Sequence, residues 1–241
     1  MMKRFYSILF CLLLTSVAAQ AQVPGFMGKR AYFTLDLNPT PALANQNVNN
    51  TITVILGDDA RYDKQNVLAF NYRPQVNLEY LVGERTAIGL NYSLLQTGTM
   101  RKTDKLFGRD VEPDVLRGTS VGLNVRFFNK GESIAPIGLY QNIKLEYTTV
   151  NTYDDKASDE PLFTDDFNHF VFTYGIGRQK VVANAIVLRI GLELGYAATP
   201  KAAFEPMEEY TPVEEANYNV HRSMFGYYIF SIKLGIGSLL F

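Results

Sequence analysis

The sequence predicts an all-β chain, an eight-stranded antiparallel up-and-down transmembrane β-barrel, and three observations carry that reading. Apolar and polar residues alternate with a period of two through eight separate stretches, each the signature of a strand with one apolar face. The connections between these stretches run long, short, long, short, long, short, long, the rhythm of a barrel with tight turns on one side of a membrane and loops on the other. No helical period interrupts them, and the composition, with 15 Tyr, 16 Phe, 18 Gly and no Trp, favours strands joined by turns.

Residues Met1 to Ala21 are expected to be an export signal rather than part of the fold, leaving a barrel domain over 22–241. Lys3 and Arg4 make a basic start, Ile8 to Val17 is an apolar run broken only by Thr15 and Ser16, and Ala19-Gln20-Ala21 is a small-x-small cleavage site. The apolar run is about half the roughly 20 residues a spanning helix requires. Cys11 lies inside that run, where acylation is not expected, so the exported chain has no cysteine and no thiol chemistry. A formal net charge of −1 removes the electrostatic case for a nucleic-acid partner.

The first strand is read over Lys29 to Asn38, stopped by Pro39 and Pro41, with a polar loop to Gln65 after it. The second sets Leu68, Phe70, Tyr72, Pro74, Val76, Leu78, Tyr80 and Val82 against Asn71, Arg73, Gln75, Asn77 and Glu79. Gly83-Glu84-Arg85 turns the chain into the third strand, where Ile88, Leu90, Tyr92 and Leu94 form the apolar face. After a charged loop from Arg101 to Gly118, the fourth strand opposes Val121, Leu123, Val125 and Phe127 to Ser120, Gly122, Asn124 and Arg126. A turn over Asn129 to Ser133 leads to the fifth strand, with Ile137, Leu139, Ile143, Leu145 and Tyr147 on one face and Gln141 as its one misfit. An acidic loop from Tyr153 to Asp166 precedes the sixth strand, Phe170 to Gly177, and a short link around Arg178 to Ala183 leads to the seventh, Ile186 to Tyr196. A last loop from Pro200 to Asn219 gives way to the closing strand, read over Phe225 to Phe241.

Which face meets water decides between a soluble barrel and a membrane one, and parity alone is silent on it. Two patterns favour lipid on the apolar side. Gly89, Gly122, Gly138, Gly175, Gly177, Gly191, Gly195, Gly235 and Gly237 all fall on the polar parity, as a crowded narrow interior would require. Aromatics of the apolar parity collect near the strand ends: Phe70, Tyr72, Tyr147, Phe170, Tyr196 and Tyr228 towards the long loops, Tyr80 and Phe127 towards the turns. Two such belts are what bilayer interfaces select.

The export signal, the eight alternating strands and the closing segment from Tyr228-x-Phe230 to Phe241 resemble the small outer-membrane barrels of Gram-negative bacteria, the OmpA-barrel and OmpX-like superfamily. The resemblance covers essentially the whole exported chain and rests on architecture and the terminal aromatic rather than a catalytic motif. It implies a cell outer-membrane location, contact with membrane lipid and lipopolysaccharide, and a role for Phe241 in the signal read by the barrel-assembly machinery. Phe241 carries the inward parity, so a bulge near Gly235 or Gly237 is expected if it is to face lipid. Larger relatives add a periplasmic peptidoglycan-binding domain, for which no sequence is left here.

The candidate lumen charges are Arg30, Asp36, Arg73, Glu79, Arg126, Lys144, Glu146, Arg189, Glu193 and Lys233. They read either as a mutually paired set filling a barrel too narrow to conduct or as the lining of a narrow porin-like channel for small solutes. His221-Arg222-Ser223 is the one hint of catalysis. It is similar to the His-x-Ser pair of outer-membrane lipid A deacylases but lacks the Asn that follows in such motifs. His169 reads as a rim residue near Asp165 and Asp166. The carboxylates of Asp154 to Asp166, with Glu205, Glu208, Glu209, Glu214 and Glu215, read as a solvated, repulsive outer surface or as weak divalent-cation ligands. No cofactor or resident metal is expected. The role expected is structural or surface-interacting, with the outward loops as the place for an extracellular ligand.

Overall fold

A computed structural model of the protein describes residues 28–41, 52–55, 67–99, 114–129, 134–153, 166–204 and 212–240. The expected export signal, Phe241, Asp154, Asp155, Asp159, Glu160, Asp165, Glu205, Glu208 and Glu209 lie outside the described residues. The elements are β1 (Ala31–Pro41), β2 (Ile52–Ile55), β3 (Val67–Leu81), β4 (Thr86–Thr99), β5 (Asp114–Phe128), β6 (Gly138–Tyr153), β7 (Phe167–Val182), β8 (Ile186–Ala197), α1 (Pro212–Ile229) and β9 (Phe230–Leu239). Each barrel strand runs antiparallel to its sequence neighbour, and β1 pairs with both β9 and β3, closing eight strands into a ring.

The alternation of period two becomes an inside-out distribution. Leu90, Leu123, Ile190 and Leu194 stand outward and are 57%, 57%, 58% and 57% exposed, while Arg126, Lys144 and Glu146 point inward at 0%. A soluble barrel would reverse this arrangement; apolar residues outside and charges within are what a bilayer-spanning barrel requires. Among the described residues no helix is long and apolar enough to cross a membrane.

Six local readings are corrected; one is the charged loop read to Gly118, since β5 already begins at Asp114. Pro39 and Pro41 do not stop β1, which runs to Pro41 paired with β3. Leu240 N–H donates to the Ala31 carbonyl and Leu81 N–H to the Arg30 carbonyl, so odd residues of β1 face β9 and even ones face β3. The nitrogens of Pro39 and Pro41 therefore face the β9 side, where pairing has already ended at Leu37↔Leu234, and no ladder bond is lost.

The same logic explains Pro74 within β3. Val82 N–H donates to the Thr86 carbonyl, so even residues of β3 face β4, and the β3–β4 ladder ends at Gln75↔Ser93, one residue short of Pro74. Beyond that point β4 stays paired with β5 as far as Thr99, and β3 with β1 as far as Phe70.

The stretch before Gln65 is not only loop, because Ile52–Ile55 forms β2 on the outer end of β3. The link between the sixth and seventh expected strands is shorter than read. β7 continues to Val182, and Ala183 and Asn184, with φ of 50° and 57°, make the two-residue turn, in which the Val182 carbonyl accepts the Ala185 N–H at 3.2 Å. Arg178 and Lys180 are thus strand residues.

The largest correction is at the chain's end. Pro212–Ile229 is an α-helix, and the closing strand starts at Phe230 rather than Phe225. The helix opens on Pro212, whose fixed φ suits a first helical turn. Its buried residues Val220, Met224, Tyr227 and Tyr228 fall at i, i+4, i+7 and i+8, a helical stripe that a reading in steps of two breaks up. β9 then pairs without interruption through Gly235 and Gly237, so the expected bulge is absent and Leu239, inward, is 4% exposed.

Candidate functional site

The lumen is built in three layers. At the turn end Tyr32, Leu81, Ala87, Phe128, Ala135, Tyr140, Val187 and Leu239 pack together. At the long-loop end Val220, Met224, Tyr227 and Tyr228 of α1 pack on Leu95, Leu116, Val150, Val171 and Ala197, one from each of β4 to β8. Between these apolar layers lie buried charges and amides.

Those charges form one connected chain. Arg189 (β8) grips Asp36 (β1) with two donors, at 2.9 and 2.6 Å, reaches Glu79 (β3) at 3.1 Å and also donates to Thr34. Arg126 (β5) meets the same Glu79 oxygen at 2.9 Å and donates to Gln179 (β7) at 2.8 Å. Lys233 (β9) joins Asp36 at 3.3 Å to Glu193 at 2.6 Å, and Lys144 (β6) joins Glu193 at 2.8 Å to Glu146 at 3.9 Å. Arg73 (β3) lies 3.7 Å from both Glu146 and Glu193.

Amides complete the carboxylate shells: Asn77 donates to Asp36 at 3.0 Å, Asn124 to Glu79 at 2.7 Å and Asn91 to Glu146 at 2.5 Å. Five cations and four carboxylates are buried in this layer, so each acid is shared among bases. Of the expected lumen set, Arg30 is placed differently, half-buried at the entry to β1.

Glycines create the room. A Cβ on Gly122 would stand 2.7 Å from Glu146 Cγ, and one on Gly191 would stand 2.8 Å from the Tyr140 hydroxyl. Tyr140 occupies that space and lies under Arg126, its ring centroid 4.4 Å from the guanidinium carbon.

Tyr228 is corrected from an outer belt residue to an inner one. It is 3% exposed, Arg73 sits 4.6 Å over its ring, and its hydroxyl is 3.1 Å from the Thr148 hydroxyl. The last turn of α1 thereby rests on the charge layer. Gly195 allows this approach, since a Cβ there would lie 2.6 Å from the Tyr228 carbonyl oxygen. The other belt candidates face outward: Tyr72, Tyr80, Phe127, Tyr147, Phe170 and Tyr196 are exposed and Phe70 is half-buried, with Tyr147 and Phe170 forming an edge-to-face pair at 5.2 Å.

Higher on α1, His221 Nδ1 is 2.9 Å from Nε2 of His169 on β7, and the Phe167 ring stands edge-on 5.9 Å away. His169 is therefore 1% exposed under the helix rather than a solvated rim residue. Burial lowers the proton affinity of His221 from its ordinary value. His221 and Ser223, the one hint of catalysis in the sequence, lie two residues apart on α1, a spacing that points them in different directions, and His221 Nδ1 engages His169. Arg222 donates to the Ala203 carbonyl and ties α1 to a short 3-10 turn over Lys201–Phe204.

Among the described residues no group of three His, Cys, Asp or Glu side chains comes together to hold a metal. Asp166 and Glu214 are exposed, and Glu215 lies on α1.

The apolar stripe of α1 and the inward Leu116 and Val150 were missed by sequence reading. The i, i+4, i+7, i+8 spacing from Val220 to Tyr228 was the signal available for the helix.

No protein-family model matches this sequence, and no curated protein matches it. Among solved structures the chain is similar to Neisserial surface protein A, with 11% identity, a TM-score of 0.48 and coverage of 87% of this chain and 97% of that one. It is also similar to the outer membrane protein OprG from Pseudomonas aeruginosa (11% identity, TM-score 0.42, 90% and 98% covered) and to the N-terminal β-barrel domain of OprF from the same organism (10%, 0.41, 87% and 97%).

Proposed function

We propose that the protein is an outer-membrane barrel closed to solutes, a structural or surface-interacting component that presents its long-loop face outward. The observation that carries this is the lumen itself: an ion-pair chain from Arg126 to Arg73, capped at the turn end by residues around Tyr32 and at the loop end by α1. A solute would have to break buried ion pairs whose remaining partners stay desolvated, which opposes conduction. Tyr80 and Phe127 at one end and Tyr147, Phe170 and Tyr196 at the other are suited to the two bilayer interfaces, with lipopolysaccharide against the loop-side ring. Phe241 is assigned to recognition by the barrel-assembly machinery.

In planar bilayers the purified protein is expected to give no stable current steps, and discrete channels would overturn the closed-lumen reading. Unboiled and boiled samples are expected to differ in electrophoretic mobility; a protein soluble without detergent would overturn the membrane assignment. Lipid A mass spectra are expected to be the same with and without the protein, since His221 and Ser223 do not face each other.

A further inference from the structure

The outward surface near the turns carries a polar cluster that a lipid-facing wall does not need. Arg178 and Lys180 of β7 point outward and are exposed, as is Gln141 on the neighbouring β6. Among the described strand residues they are the two charged side chains on the turn-side half of the outer face. Leu139 pairs with Arg178 and Gln141 with Ile176, so Gln141 lies diagonally from Arg178, one outward position further from the turns.

An open groove of about 760 Å³ starts at Arg178 and Lys180 and crosses β8, β9 and β1. Its floor follows the ladder: Arg178 pairs with Ile190, Ile190 with Leu234 and Leu234 with Leu37, while Lys180 pairs with Leu188, Leu188 with Ile236 and Ile236 with Leu35. Apart from the two cations, every outward residue in this grid is Leu or Ile. The groove also climbs. Lys180 and Arg178 lie two and four residues from the turn end of β7, whereas Leu35 and Leu37 lie four and six residues into β1 from its turn end. A second, more polar depression of about 540 Å³ adjoins the same two cations and is lined by Ile137 and Gly138 at the start of β6.

The geometry points to a binding site for one anionic glycerophospholipid, its phosphate held by Arg178 and Lys180 and its acyl chain laid along the Leu188–Ile190–Leu234–Ile236 groove. The remainder of the headgroup lies in the depression beside Gly138. Basic side chains at an interface attract anionic headgroups by charge, and here the apolar groove gives the attached chain a place to lie. Three inter-strand steps of about 4.8 Å make the floor about 14 Å across, long enough for most of an acyl chain. The inference rests on the membrane reading above, which places the short turns at the inner leaflet.

The test is native mass spectrometry of the detergent-purified protein supplied with equal phosphatidylglycerol and phosphatidylethanolamine. Wild type is expected to retain phosphatidylglycerol about thirtyfold over phosphatidylethanolamine, the scale of two basic groups at an anionic surface. R178Q/K180Q is expected to lose that preference and R178K to keep it. I190W/I236W, which fills the groove and leaves both charges, is expected to lower retention of both lipids. Equal retention of the two lipids by wild type, or a preference that survives R178Q/K180Q, overturns the headgroup site; undiminished retention in I190W/I236W overturns the groove. The heat-dependent mobility shift is measured on each variant, so loss of the barrel and loss of the lipid site are read separately.

Discussion

Arg189 bridges two of the buried carboxylates, binding Asp36 through two donors while also meeting Glu79 and Thr34. Replacing it with Met removes one of the two bases at each of Asp36 and Glu79, which keep Lys233 and Arg126, so the loss stays below the about 3–5 kcal/mol of a buried charge left without a partner. R189M is therefore expected to lower the unfolding free energy of the membrane-inserted barrel, measured by urea titration, by up to about 3 kcal/mol, and adding D36N is expected to recover part of the loss. A midpoint unmoved by R189M would mean that the layer holds no energy at this residue. His221 gives a second test at this scale. Its proton affinity is lowered in the fold, so its neutral form stabilises the docked helix above the unfolded pKa of about 6.5, and that stability is lost as pH falls below it. Protease access to α1 is expected to rise between pH 7.5 and pH 5 in wild type. It is expected to vary little with pH in H169Q/H221Q, in which neither imidazole of the contacting pair remains.

At the scale of elements, α1 is the loop-side lid, and one stripe of it does the packing. Met224 is fully buried against the wall formed by β4 to β8. M224D places an unpaired carboxylate in that layer and is expected to undock the helix while the ladders survive. The readout is current steps in planar bilayers that are absent in wild type, together with an unchanged mobility shift on boiling; a silent variant would mean that the charge layer closes the barrel alone. β3 offers a different handle. Pro74 lacks the N–H that would face β4, so P74V supplies a donor just where the ladder stops at Gln75↔Ser93. Slower amide exchange around Leu94 is the expected consequence, and unchanged exchange there would place the cause of the split elsewhere.

For the whole molecule, the decisive property is the inversion of inside and outside. Leu123 is 57% exposed in the middle of β5, flanked by Leu90 on β4 and Leu145 on β6. An Arg on the lipid face at the bilayer midplane costs about 2–4 kcal/mol, so L123R is expected to lower folding stability in phospholipid vesicles by that amount. A soluble barrel would tolerate the same change at an exposed site. Stability unaffected by L123R in vesicles would sink the transmembrane assignment.

The strand count, the antiparallel order and the inward parity of Arg73, Glu79, Arg126 and Glu193 could be read from alternation, because each strand's neighbours lie next to it in sequence and period two is a local property. Three things were decided only by tertiary structure. Which base meets which acid depends on how eight strands stagger around a ring, as when Arg189 finds Asp36 across 153 residues of chain. Where a proline is tolerated depends on where the neighbouring ladder ends, as at Pro39, Pro41 and Pro74. And the stretch from Pro212 to Ile229 carries both a period-two and a period-3.6 pattern. The barrel mouth, lined by Leu95, Leu116, Val150 and Val171, settles between them, because a helix seated there buries Val220, Met224, Tyr227 and Tyr228 together, and a strand would have put Tyr227 on the face opposite the other three.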